Sequence, residues 1–114
     1  DRLTPVQVLG GLKFAGVSAG TPAHTCGVTT SNVAYCWGYR FLGSLGNGSD
    51  DNTGQLTPTS VSGGLAFRSV SAGEFFSCGV TTSNAAYCWG SNAYGKLGDG
   101  TTTNRTTPVA VKPP

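Results

Sequence analysis

Cys26-Gly27-Val28-Thr29-Thr30-Ser31-Asn32-Val33-Ala34-Tyr35-Cys36-Trp37-Gly38 returns 52 residues later, nearly unchanged, as Cys78 to Gly90. The similarity extends outward on both sides. Leu12–Gly20 matches Leu65–Gly73, and Gly43-Ser44-Leu45-Gly46-Asn47-Gly48 matches Gly95-Lys96-Leu97-Gly98-Asp99-Gly100. A Thr-Pro-x-x-Val segment occurs three times, at Thr4–Val8, Thr57–Val61 and Thr107–Val111. The offset between copies drifts from 53 to 52 to 50, so length changes fall after Gly20/Gly73 and after Gly48/Gly100. Loops absorb such changes cheaply, which places loops there.

Each unit reads as four short strands punctuated by Gly, Asn and Pro. The expected strands are A (14–19 and 67–72), B (25–29 and 77–81), C (33–37 and 85–89) and D, the Thr-Pro segment. Proline in D suits an outer strand, where a missing donor is tolerated. Pairing Cys26 with Cys36 puts Val28 opposite Ala34 and leaves a Thr30-Ser31-Asn32 loop. Asn is among the few residues that accept the positive φ such a loop needs. The second unit gives the same register around Cys78 and Cys88. An all-strand repeat of about 50 residues cannot bury both faces alone and points to propeller blades. The expected fold is all-β: two four-stranded antiparallel repeats plus one extra outer strand. The expected divisions are 1–11, the outer strand of a preceding blade, then repeats over 12–64 and 65–114.

Composition agrees. Of 114 residues, 18 are Gly and only 11% are charged, with no Met, which excludes a helical bundle or a solvating disordered tail. The seven Lys and Arg are scattered singly at a net charge of +2, so nucleic acid is not an expected partner. No apolar run reaches membrane-span length. The sequence starts at Asp1 without a Met or a signal peptide and reads as a processed or excised piece.

The pattern Val-Ser-Ala-Gly … Cys-Gly-Val-Thr-Thr-Ser-Asn-x-Ala-Tyr-Cys-Trp-Gly … Gly-x-Leu-Gly-x-Gly … Thr-Pro-x-x-Val resembles the regulator-of-chromosome-condensation repeat in its cysteine-containing bacterial style. The resemblance covers nearly the whole chain and implies blades of a seven-bladed propeller. It implies no single activity, since such propellers include a nucleotide-exchange factor, an enzyme inhibitor and many extracellular proteins. No insertion here matches the exchange factor's wedge. The usual strand-B His is present as His24 but replaced by Phe76, so no exchange-factor residue carries over.

Two blades leave two open sides, and the chain is expected to be part of a larger or oligomeric assembly. Self-copies would give a six- or eight-bladed ring or, without closure, a filament. The surplus outer strand could cross to a neighbouring blade by strand addition.

Cys26/Cys36 and Cys78/Cys88 are read as cross-strand disulfides, with a zinc site or free buried thiols as alternatives. A ten-residue loop gains only about 2–3 kcal/mol from closure. The larger consequence is an exported, extracellular or secreted protein. Tyr35, Trp37, Tyr87 and Trp89 alternate with the cysteines and are expected to pack blade on blade, with sugar stacking as the minority reading. Phe75, Phe76 and Tyr94 are the better candidates for ligand contact. His24 is expected at a surface or strand end. Asp99, which aligns with Asn47, is expected to do turn chemistry that needs no carboxylate. Asp50 and Asp51 lack the spaced oxygen ligands of a calcium loop, and no cofactor or metal is expected. The Gly-x-Leu-Gly-x-Gly runs lead into no helix and are read as turns. Asn47-Gly48-Ser49 and Asn104-Arg105-Thr106 are glycosylation sequons in the same loop of each unit.

The expected function is a non-enzymatic structural or protein-interaction module that self-associates through open blade faces. An extracellular, lectin-like carbohydrate-binding fragment is the alternative. An enzyme is the weakest reading, because five scattered acids hardly supply a paired-carboxylate cleft.

Overall fold

The computed structural model describes residues 2, 4–21, 24–49 and 54–113. Eight strands run β1 (Phe14–Ala19), β2 (His24–Thr29), β3 (Ala34–Tyr39), β4 (Gly54–Ser60), β5 (Phe67–Ala72), β6 (Phe76–Thr81), β7 (Ala86–Gly90) and β8 (Arg105–Ala110). They form two four-stranded sheets, β1-β2-β3-β4 and β5-β6-β7-β8, every pair antiparallel. Each sheet is one blade.

The hairpin register is the expected one. Cys26 lies opposite Cys36 and Val28 opposite Ala34; Cys78 lies opposite Cys88 and Val80 opposite Ala86. Asn32 and Asn84 hold φ of 66° and 68° at the turns. A device not read from sequence completes each turn. The Thr29 hydroxyl oxygen accepts the Val33 N–H at 3.1 Å, and that of Thr81 accepts the Ala85 N–H at 3.0 Å.

The outer strands start earlier than the Thr-Pro segments suggest, and proline sits inside them. Cys36 pairs with Thr59 and Gly38 with Gln55, so Leu56-Thr57-Pro58 bulges opposite Trp37. The second blade repeats this between Val109 and Arg105. A bulge on an edge strand is where a residue without a donor is tolerated. Strands B and C are also displaced by one or two residues from their expected bounds. The first Thr-Pro segment, Thr4–Val8, is exposed and forms no strand among the described residues.

The blades meet along their inner strands, where β5 packs on β1 and β2. The core lies between the sheets: Cys26, Val28, Ala34, Cys36 and Leu45 from the first blade against Phe67 and Trp89 from the second.

Candidate functional site: the faces of the two blades

Alternation along a strand gives each blade two different faces. On the first blade, Ser18, Cys26, Val28, Ala34 and Cys36 share one face, and Phe14, Val17, Tyr35 and Trp37 occupy the other. The second blade repeats this as Ser71, Cys78, Val80, Ala86 and Cys88 against Phe67, Val70, Tyr87 and Trp89. We call these the cystine face and the aromatic face. Both disulfides are formed, Cys26–Cys36 and Cys78–Cys88.

Among the described residues, the joint between the two sheets sets the cystine face of the first blade against the aromatic face of the second. Trp89 is 0% exposed and packs against Phe67 in a tilted arrangement, with ring centroids 5.8 Å apart. Gly46, at φ 71°, lets the first blade's turn approach the Trp89 indole; a Cβ there would lie 2.6 Å from Nε1. No hydrogen-bond acceptor for that buried Nε1 is found among the described residues.

Polar groups also cross the joint. The buried Ser77 hydroxyl donates to the Ser44 carbonyl at 3.0 Å, and its Oγ lies within hydrogen-bond distance of His24 Nε2, at 2.9 Å. The Ala72 N–H donates to Ser18 Oγ at 3.0 Å. His24 is therefore buried, not at the surface, because the second blade covers the start of β2. Burial holds its pKa below the ordinary 6.5, opposed by a backbone hydrogen bond with Phe76. A His–Ser pair invites a nucleophilic reading, but Ser77 is fully buried and its proton is committed to Ser44.

The outer faces carry the same residue types without a neighbour. Phe14 and Trp37 keep the internal ring geometry, with centroids 5.5 Å apart, but both are only half-buried, and Val17 is 62% exposed. Opposite, Val80 and Cys78 are half-buried and Ala86 is exposed, whereas Val28, Cys26 and Ala34 are buried. Trp37 thus does not pack between the two blades as expected; it faces away from the joint.

The β5–β6 loop and the long β3–β4 and β7–β8 loops share one rim. Phe41 stacks on Tyr39 and meets Phe75 at 4.9 Å, bridging the blades. Phe75 and Phe76 are half-buried, the latter beneath Lys96 Nζ at 4.8 Å. Tyr94 is fully exposed with φ 62°. The rim does not assemble Phe75, Phe76 and Tyr94 into one cleft.

Asp99 corrects the sequence reading in part. Its Oδ1 accepts the Thr101 N–H, as Asn47 Oδ1 accepts that of Ser49, so the turn chemistry is shared. The carboxylate also takes Asn92 Nδ2 and an ion pair with Arg105 Nε at 2.8 Å. The Thr101 hydrogen bond, with Arg105 and Asn92, holds its pKa well below the usual carboxylate range. Asn104 is exposed, and its Oδ1 accepts the Asn92 N–H at 2.8 Å. Asp50 and Asp51 lie outside the described residues. Among the described residues no three His, Cys, Asp or Glu cluster as metal ligands, and no helix is long and apolar enough to cross a membrane.

Models of the regulator of chromosome condensation (RCC1) repeat match residues 32–80 and 83–114, and a second model of that repeat matches 67–96. The chain belongs to the RCC1 repeat family. It is 36% identical over 104 residues to the ultraviolet-B receptor UVR8 of Arabidopsis thaliana, covering 88% of this chain and 23% of that protein. It is 33% identical over 105 residues to the human E3 ubiquitin-protein ligase HERC2, covering 88% of this chain but 2% of the ligase. Its fold matches yeast RCC1 (Prp20) bound to Kap60 with a TM-score of 0.81 at 19% identity, over 95% of this chain and 26% of that one. Human WBSCR16 matches at 0.79 and 20% identity, over 93% of this chain and 27% of that one. The chain thus spans about a quarter or less of these relatives. Family and fold together make its two sheets RCC1-type propeller blades.

Proposed function

We propose that this chain is a protein-interaction module that works through its open blade faces, on which further RCC1-type blades, including those of other copies, dock. One observation carries this. The positions that close the internal joint, Val28, Ala34, Phe67 and Trp89, recur as Val80, Ala86, Phe14 and Trp37 on the outer faces, where Ala86 is exposed and the other three are only half-buried. A repeat buries its apolar faces only against neighbours, so the uncovered pair is a demand for partners. Light scattering across a concentration series tests the reading: mass should rise above 11.6 kDa with concentration. A constant 11.6 kDa species would overturn self-association.

The module acts in an oxidising, extracellular setting. The two disulfides support this, since such bonds persist outside reducing compartments. The sequons at Asn47 and Asn104 occupy equivalent loops, so any glycans would sit on one rim. A second reading, carbohydrate binding at that rim, draws on the fully exposed Tyr94 and the Tyr39–Phe41–Phe75 row. A change in fluorescence or a chemical-shift change at these rings on adding glycans would favour it.

A further inference from the structure

The internal joint is a template for what each open face takes. It sets large side chains into small ones: Phe67, Trp89 and the partly buried Val70 pack with Cys26, Val28, Ala34 and Cys36. The open cystine face offers the same shallow apolar dimple, lined by Ser69, Ser71, Cys78, Val80 and Ala86. Phe14, Val17 and Trp37, at the far side of the chain, are the repeat equivalents of the side chains that fill the closed one. Ser71 and Ala19 hold the positions of the Ser18 acceptor and the Ala72 donor that cross the internal joint.

Resting on the open-face reading above, we propose that copies of this chain join head-to-tail, the aromatic face of one copy's first blade seating in the cystine face of another's second blade. Like-to-like contacts fit poorly. Two cystine faces would oppose small side chains with no ring to fill the gap. Two aromatic faces would oppose Trp37, Phe14 and Val17 with no recess to receive them. The join is heterologous, so it propagates until a ring closes.

The copy-to-copy joint differs from the internal one on its polar side, and it also has Ala93 where the internal joint has the bridging Phe41. Where the internal joint has His24, Ser44 and Ser77, the outer faces present Phe76, Lys96 and Thr25. Lys96 lies over the Phe76 ring and donates to the Glu74 carbonyl at 3.1 Å. The buried His–Ser hydrogen bond is thus missing from the outer joint, which makes that joint weaker than the internal one.

Two exposed positions test the direction. Val17→Arg blocks only the aromatic face, and Ala86→Arg blocks only the cystine face. In sedimentation velocity or native mass measurements, each variant alone should be monomeric while the unaltered chain associates. Mixing them should give a dimer and nothing larger, because one good face of each kind remains. Association of either variant alone at unaltered strength would overturn the direction, as would a monomeric mixture of folded variants. Unchanged far-ultraviolet circular dichroism establishes folding; Val17→Asp and Ala86→Asp replace any Arg variant that fails it. A monomeric unaltered chain would instead refute the self-association reading itself.

Discussion

Val28 and Ala34 are buried beneath the second blade, whereas Val80 and Ala86, at the same places in a nearly identical hairpin, look outward. The same contrast separates Trp89 from Trp37. Local sequence therefore builds a face, and a neighbour decides whether that face becomes core or contact surface. This is the logic of repeat architectures, whose stability is divided between each unit and its interfaces.

The largest expected effect is at the tryptophans. Trp89→Ala should cost about 3–5 kcal/mol in denaturant unfolding, as large core truncations do, and Trp37→Ala less than about half of that in dilute solution. Equal losses would erase the distinction between the joint and the outer face. Next come the glycines of the matching turns. Gly46→Ala adds a Cβ against Trp89 at positive φ and should cost about 2–4 kcal/mol. Gly98→Ala, whose Cβ would meet only the Val111 side chain at 3.1 Å, should cost about 1–2 kcal/mol.

The smallest effect concerns His24. Its folded pKa lies below the unfolded value of 6.5, so the unfolded chain binds the proton more readily. Stability is therefore full above pH 6.5 and declines as pH falls below it, until the folded pKa is passed. His24→Phe, which copies the second unit, should lose about 1 kcal/mol at pH 8 and flatten that decline. Thermal melts from pH 8 to pH 5 measure both.

Much of the fold was legible because its signals are local. Cysteine spacing and the turn asparagines fixed the hairpin register, and the repeat fixed the number of blades. What escaped was non-local. His24 is buried by Ser77, 53 residues away along the chain, and nothing near His24 announces it. The roles of Trp37 and Trp89 could not be separated, since both follow Ala-Tyr-Cys and precede Gly. Asp99 looked like a turn residue because its partner Arg105 has no counterpart charge in the first unit, where Gln55 pairs with the equivalent glycine. The site was half-legible: the need for neighbours followed from the repeat, but which face takes which residues required the sheets in place.

The unaltered chain carries its own reporters of that distinction in its two disulfides. Cys26–Cys36 is sealed in the joint, while Cys78–Cys88 lies on the open face. A dithiol reductant followed by alkylation and peptide mass mapping gives the reduction rate of each bond. In dilute solution Cys78–Cys88 should be reduced well before Cys26–Cys36, and its rate should fall as protein concentration rises and copies cover it. A Cys78–Cys88 rate that ignores concentration would contradict the account, and so would equal rates for the two bonds in dilute solution.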